Sequence, residues 1–101
     1  MKLLIVTVVS QYHKKVLQLF KKAKIESFSE SNIEGFKNST SLVMATSWFP
    51  VEKGGSQSNM FFSFTEDDKI DELFKLIQKF NSELETNNPV KAVVVPIEKY
   101  I

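Results

Sequence analysis

The sequence predicts an α+β domain with the element order β-α-β-β-α-β, in which two helices cover one face of a four-stranded antiparallel sheet. Three observations carry this. The chain opens and closes on apolar, β-branched runs, at residues 3–9 and 90–97. An apolar stripe at helical spacing precedes the closing run. Between the two halves, the Gly54-Gly55 pair marks the strongest turn in the chain.

The first run, from Leu3 to Val9, has the length and the near-continuous hydrophobicity of a strand buried on both faces. Ser10 offers a helix N-cap, and Tyr12, Val16, Phe20 and Ala23 follow at helical spacing, with Leu17 and Leu19 beside them. The spacing predicts a helix over residues 11–23, whose lysines fall late, at the negative end of its dipole. Residues 25–36 lose the helical period and read as a second strand, polar on one side and ending near Gly35. Residues 37–41 form a polar break, 42–49 are again strand-like and extend the same arm, and 50–56 turn the chain. Met60 to Phe64 is the returning strand.

The second helix is capped by Thr65, with Glu66, Asp67 and Asp68 at its positive end. Ile70, Leu73, Phe74, Ile77, Phe80 and Leu84 keep its stripe, and Asn87-Asn88-Pro89 stops it. Pro96, lacking a donor, belongs at the end or edge of the last strand. Right-handed crossovers then place both helices on one sheet face, a ferredoxin-like βαββαβ sandwich spanning residues 1–101 as one domain. Residues 3–9 and 90–95 are apolar on both alternating sets, so a two-layer monomer leaves one set uncovered, and self-association is expected.

Composition excludes several classes of function. With 13 basic against 12 acidic residues the net charge is +1, which gives no footprint for nucleic acid. The basic cluster Lys14, Lys15, Lys21, Lys22 and Lys24 coincides with the first helix and reads as its solvated face. The absence of cysteine excludes disulfides, thiolate metal sites and cysteine nucleophiles. No run approaches the ~20 apolar residues of a membrane span, and the opening run lacks a cleavage pattern, which points to a cytoplasmic protein. All the basic residues are lysines, which argues against phosphate or acyl-phosphate chemistry built on arginine clamps.

Few residues offer chemistry. His13 is the only histidine and stands at a helix start without an evident second ligand. Met44 and Met60 are thioether candidates for monovalent copper but read first as core residues. Glu66, Asp67, Asp68, Asp71 and Glu72 read as the favoured charge of a helix N-terminus. Gly54-Gly55 fits no phosphate-binding spacing. Trp48 and Phe49, beside Pro50, are contact residues for a ligand or partner, or plugs against a neighbouring subunit. No catalytic constellation emerges, and no enzyme activity or cofactor is expected.

The first half of the chain resembles a known family. Leu3, Ile5 and Val6, the segment from Val16 to Ile25, and the ending Ile33-Glu34-Gly35-Phe36 are similar to the opening of PII signalling proteins. In that family a helix ends in a small-residue turn, and the next strand finishes in a glycine–aromatic pair before a long loop. The second half, with Ser47-Trp48-Phe49, Gly54-Gly55, residues 60–65 and Val93 to Ile97, resembles the related CutA layout. The resemblance implies a homotrimer with its sheets packed centrally and ligand clefts between subunits. It further implies a regulatory role, in which a small molecule orders a loop and alters contact with a partner such as a membrane transporter. That loop would be residues 37–56, with Lys37, Trp48, Phe49, Lys53, Gly54 and Gly55 reaching ligand or partner. The Gly-rich basic phosphate loop of PII proteins has no counterpart in Glu85-Thr86-Asn87-Asn88-Pro89, so no nucleotide-binding residue carries over. The alternative the resemblance implies is a CutA-like trimer of divalent or copper ion tolerance, with ligands among His13, the methionines and the carboxylates. A ligand-free adaptor trimer, and a small monooxygenase or acylphosphatase-like enzyme on the same fold, are further alternatives.

Overall fold

A computed structural model of the chain describes residues 1–35, 56–84 and 88–101. Strands β1 (Lys2–Val9), β2 (Ser29–Gly35), β3 (Ser56–Thr65) and β4 (Lys91–Pro96) form one antiparallel sheet in the order β2-β3-β1-β4. Helices α1 (His13–Lys22) and α2 (Asp67–Ser82) pack on one face of it. This is the ferredoxin-like α+β arrangement read from the sequence. The hairpin arm expected at 42–49 and the turn at 50–56 lie, but for Ser56, outside the described residues.

Strand β1 sits between β3 and β4, at the interior of the sheet. Leu4, Val6 and Val8 are fully buried against the helices. They stand beside Ser63, Phe61 and Asn59 of β3, and Leu4 and Val6 also beside Val94 and Ala92 of β4. The core closes with Val16, Leu19 and Phe20 from α1 and Leu73 and Ile77 from α2. Phe20, Phe28 and Phe61 form an aromatic cluster at its centre, with ring centroids 4.9 to 5.9 Å apart. Pro96 ends edge strand β4, where its missing donor breaks no ladder bond.

Among the described residues no helix covers the opposite face. There Leu3 and Ile5 of β1 meet Phe64 and Phe62 of β3 and Val95 and Val93 of β4. Phe64 is 55% exposed and Val95 40%, so a contiguous apolar face opens to solvent.

Three local expectations are corrected. Ser10 does not cap α1: residues Ser10–Tyr12 form a 3-10 turn, and its hydroxyl is spent on a tertiary bond to Asn59 at 3.2 Å. Thr65 does not cap α2 either. It is the last, buried residue of β3, and Glu66 takes the N-cap position without a side-chain cap bond. Residues 25–28 are not strand, because Ile25 belongs to the helix terminus. Lys24 adopts φ 61°, while Lys24 N–H donates to Lys21 O and Ile25 N–H to Phe20 O, both at 3.0 Å. This is a Schellman motif that drives Ile25 into the core. Helix α2 ends at Ser82, ahead of Asn88-Pro89, and the Asn81 amide ties it to β4 by bonding Val90 O and Val90 N–H, each at 2.9 Å.

The Schellman motif places a lysine where glycine is favoured. The left-handed penalty of about 1–2 kcal/mol is partly offset by the freedom glycine gains on unfolding. Lys24→Gly is therefore expected to stabilise the domain by roughly 0.5–1 kcal/mol, measured by urea unfolding. An unchanged or lower midpoint would contradict the assigned conformation.

Candidate functional site

The ends of β1 and β2 and the start of β3 bring the densest polar arrangement of the described residues together. Asn59 stands on the helix-facing side of β3, only 5% exposed. A buried amide must be satisfied, and this one is. Its Nδ2 donates to Glu30 Oε2 and to Asn32 Oδ1, both at 2.9 Å. Its Oδ1 accepts the Ser10 hydroxyl. Strands β2 and β3 and the turn before α1 are thus joined through one side chain.

His13 completes the cluster. Its ring stacks on Phe61, with centroids 5.8 Å apart and planes 19° apart. Its Nε2 lies against Glu30 Oε2, forming an ion pair when the imidazole is protonated. That nitrogen is buried and makes no aligned hydrogen bond. The surface histidine expected from the sequence is therefore half-buried, with a carboxylate beside it. The partner comes from Glu30, seventeen positions along in a strand whose register the sequence alone does not specify.

Beside this cluster opens a cleft of about 290 Å³, lined by Ser10, Asn32, Ile33, Glu34, Gln57 and Ser58. It lies next to the points where β2 and β3 leave for residues 36–55. Among the described residues its lining carries a carboxylate and no lysine.

The remaining sequence-derived candidates separate. Met60 faces the open side of the sheet, with the sheet between it and His13. Met44, Lys37, Trp48, Phe49, Lys53, Gly54 and Gly55 lie outside the described residues. Among the described residues, no three His, Asp or Glu side chains converge as a metal site. The acidic turn of α2 makes exposed pairs, Met1 N with Glu66 at 3.7 Å and Lys2 Nζ with Asp67 at 3.1 Å. Among the described residues no helix is long and apolar enough to cross a membrane.

No family model and no curated protein matches the chain in sequence. Solved structures match it in fold. One is CPII, a nitrogen regulatory PII-like protein from Thiomonas intermedia K12 bound to ADP, AMP and bicarbonate. The two superpose with a TM-score of 0.63 at 12% identity, over 99% of this chain and 94% of that one. The chain has the PII-like fold. A DUF3240-family protein from Shewanella baltica OS155 is similar too, with a TM-score of 0.66 at 15% identity, covering 98% of this chain and 91% of that one. At such identities the likeness is one of architecture. It extends over both halves of the chain, and so joins the PII-like opening and the CutA-like second half in one PII-like fold.

Asn59 should be the most sensitive polar position of the domain. Asn59→Ala removes three hydrogen bonds, one of them to a carboxylate, from partners that water still reaches, and a loss of about 1–2 kcal/mol is expected. Asn32→Ala, on an exposed residue, should cost under about 1 kcal/mol. Equal losses in denaturant titrations would show that the network does not hold the strands together.

Proposed function

We propose that the chain is a trimeric PII-like regulatory protein, in which three copies cover one another's helix-free sheet faces and residues 37–56 contact a small ligand or a regulated partner such as a transporter. The observation that carries this reading is the open apolar face. Strand β3 turns Met60, Phe62 and Phe64 away from the two described helices, and Phe64 is left 55% exposed beside the exposed Val95. The PII-like fold, with CPII holding ADP, AMP and bicarbonate, supports ligand-linked regulation. The segment that leaves β2 and returns to β3 starts from the Gly35-Phe36 pair and carries Lys37, Trp48, Phe49, Lys53, Gly54 and Gly55. Aromatic and cationic side chains beside a Gly-Gly turn suit a contact loop. The cleft beside its base offers hydroxyls, amides and the Glu34 carboxylate among its described lining, groups that suit a small polar ligand.

Sedimentation of the wild-type chain should give three protomer masses, and Phe64→Glu, with a charge at the most exposed phenylalanine of the face, should yield monomer. A monomeric wild type overturns the assembly. Deleting residues 50–56 should abolish ligand and partner contact while the trimer persists; intact contact rejects the role of the loop.

One observation favours a second reading, a divalent-cation protein of the CutA type. The Nε2 of His13 lies against a carboxylate that Asn59 orients, as an outer-shell group orients a metal ligand. Two protein ligands with water would suit a borderline cation such as zinc, nickel or cupric ion. Calorimetry should then show saturable binding that His13→Gln and Glu30→Gln each weaken by about tenfold or more. Heat no greater than that of the double variant rejects this reading.

A further inference from the structure

The helix layer presents a surface that oligomerisation through the sheet leaves uncovered. Helix α1 carries Lys14, Lys15, Lys21 and Lys22 and no acidic residue. Where its outer side meets the end of α2, a groove of about 150 Å³ opens between the two helices. Leu19, Leu76 and Phe80 give it an apolar floor, and Lys15, Lys22 and Lys79 stand around it, with Glu83 the one carboxylate.

The lysines are free to engage a partner. Among the described residues none of the three forms an ion pair with a carboxylate. Lys15 Nζ lies 5.6 Å from the centroid of the Phe80 ring, which Tyr12 meets edge-on at 5.7 Å. The Phe80 ring is thus held by packing against Tyr12, with the Lys15 ammonium over its face.

We propose that this groove docks an acidic amphipathic segment of a partner protein. One apolar side chain sits over Leu76 and Phe80, and flanking carboxylates meet Lys15, Lys22 and Lys79. The charge distribution selects this occupant. A nucleic acid would need a continuous basic track, but Asp67, Asp68, Asp71 and Glu72 occupy the other end of α2 and repel an extended polyanion. The three lysines surround a small apolar pocket instead of bordering a broad apolar face, which suits a side-chain anchor better than a bilayer. The groove faces away from the sheet, so it stays open in monomer and trimer alike.

The test uses a fluorescein-labelled peptide of leucine, phenylalanine, aspartate and glutamate, with its apolar residues at i, i+3, i+4 and i+7. Fluorescence anisotropy should show saturable binding to the full chain that weakens as salt rises. The double variant Lys15→Glu/Lys22→Glu should lose about tenfold in affinity. Lys79→Gln should lose less, and replacing the peptide's apolar residues by serine should abolish binding. Thermal melts of each variant report whether it remains folded. The Phe64→Glu protein should bind equally well, which separates this groove from the assembly proposed above. The proposal is overturned if the wild type shows no saturable binding or the lysine variants bind like it. Equal binding of the serine-substituted peptide or of duplex DNA also overturns it, because the lysines are then only a solvated charged face.

Discussion

The placement of β3 decides what the rest of this molecule presents to its surroundings. Its alternation offers two sets: Asn59, Phe61, Ser63 and Thr65, or Met60, Phe62 and Phe64. Hydrophobicity alone would send the second set to the helices. The structure sends the first. Phe61 fills the core centre, the Ser63 hydroxyl donates to Ser27 O at 2.6 Å, and Asn59 finds every partner its amide can use. A one-residue slip would expose Phe61 and strand these groups on the open face. The polar contacts thus hold a register that burial by a single copy would not choose.

The open face follows from that register. Having satisfied its polar set internally, β3 turns three large apolar side chains outward, and β1 and β4 add Leu3, Ile5, Val93 and Val95 beside them. Such a surface conflicts with solubility in isolation and agrees with a core shared between copies. In the proposed trimer the apparent inversion of β3 disappears, since both of its faces are then buried and only its polar groups need internal partners.

The sequence made the framework legible because its strongest signals are periodic. The apolar run of β1 and the stripe of α2 depend on local order alone, and both elements form, the stripe from Ile70 to Phe80. The failures share a cause. Ser10 and Thr65 look like caps by position, but Ser10 spends its hydroxyl on Asn59 and Thr65 is claimed by strand pairing. His13 looks like a surface residue because its neighbours, Glu30 and Phe61, arrive from strands distant in sequence. The only trace of the polar cluster was a run of amides and acids in two segments that otherwise read as strand, and nothing local says which of them will face inward. Residues 36–55, to which the sequence assigned most of the contact chemistry, lie outside the described residues.

Electrostatics divides the surface by kind of partner. The cleft beside the 36–55 segment is bordered by Glu34, with Glu30 in the network behind it, and among the described residues no lysine lines it. The lysines of α1 and of the end of α2 gather on the far side, around an apolar groove. A chain of net charge +1 has therefore not spread its charge evenly. The cleft suits a small ligand held by hydroxyls, amides and a carboxylate, whereas the groove suits an acidic segment drawn in by charge and seated by an apolar anchor. In the proposed trimer both surfaces would remain available at once, joined by one stretch of chain. Ser10 bonds into the cleft network, and the turn it begins leads into α1, the helix that supplies Lys15 and Lys22 to the groove. A ligand that shifted Ser10 would act at one end of the same rigid helix that receives the partner.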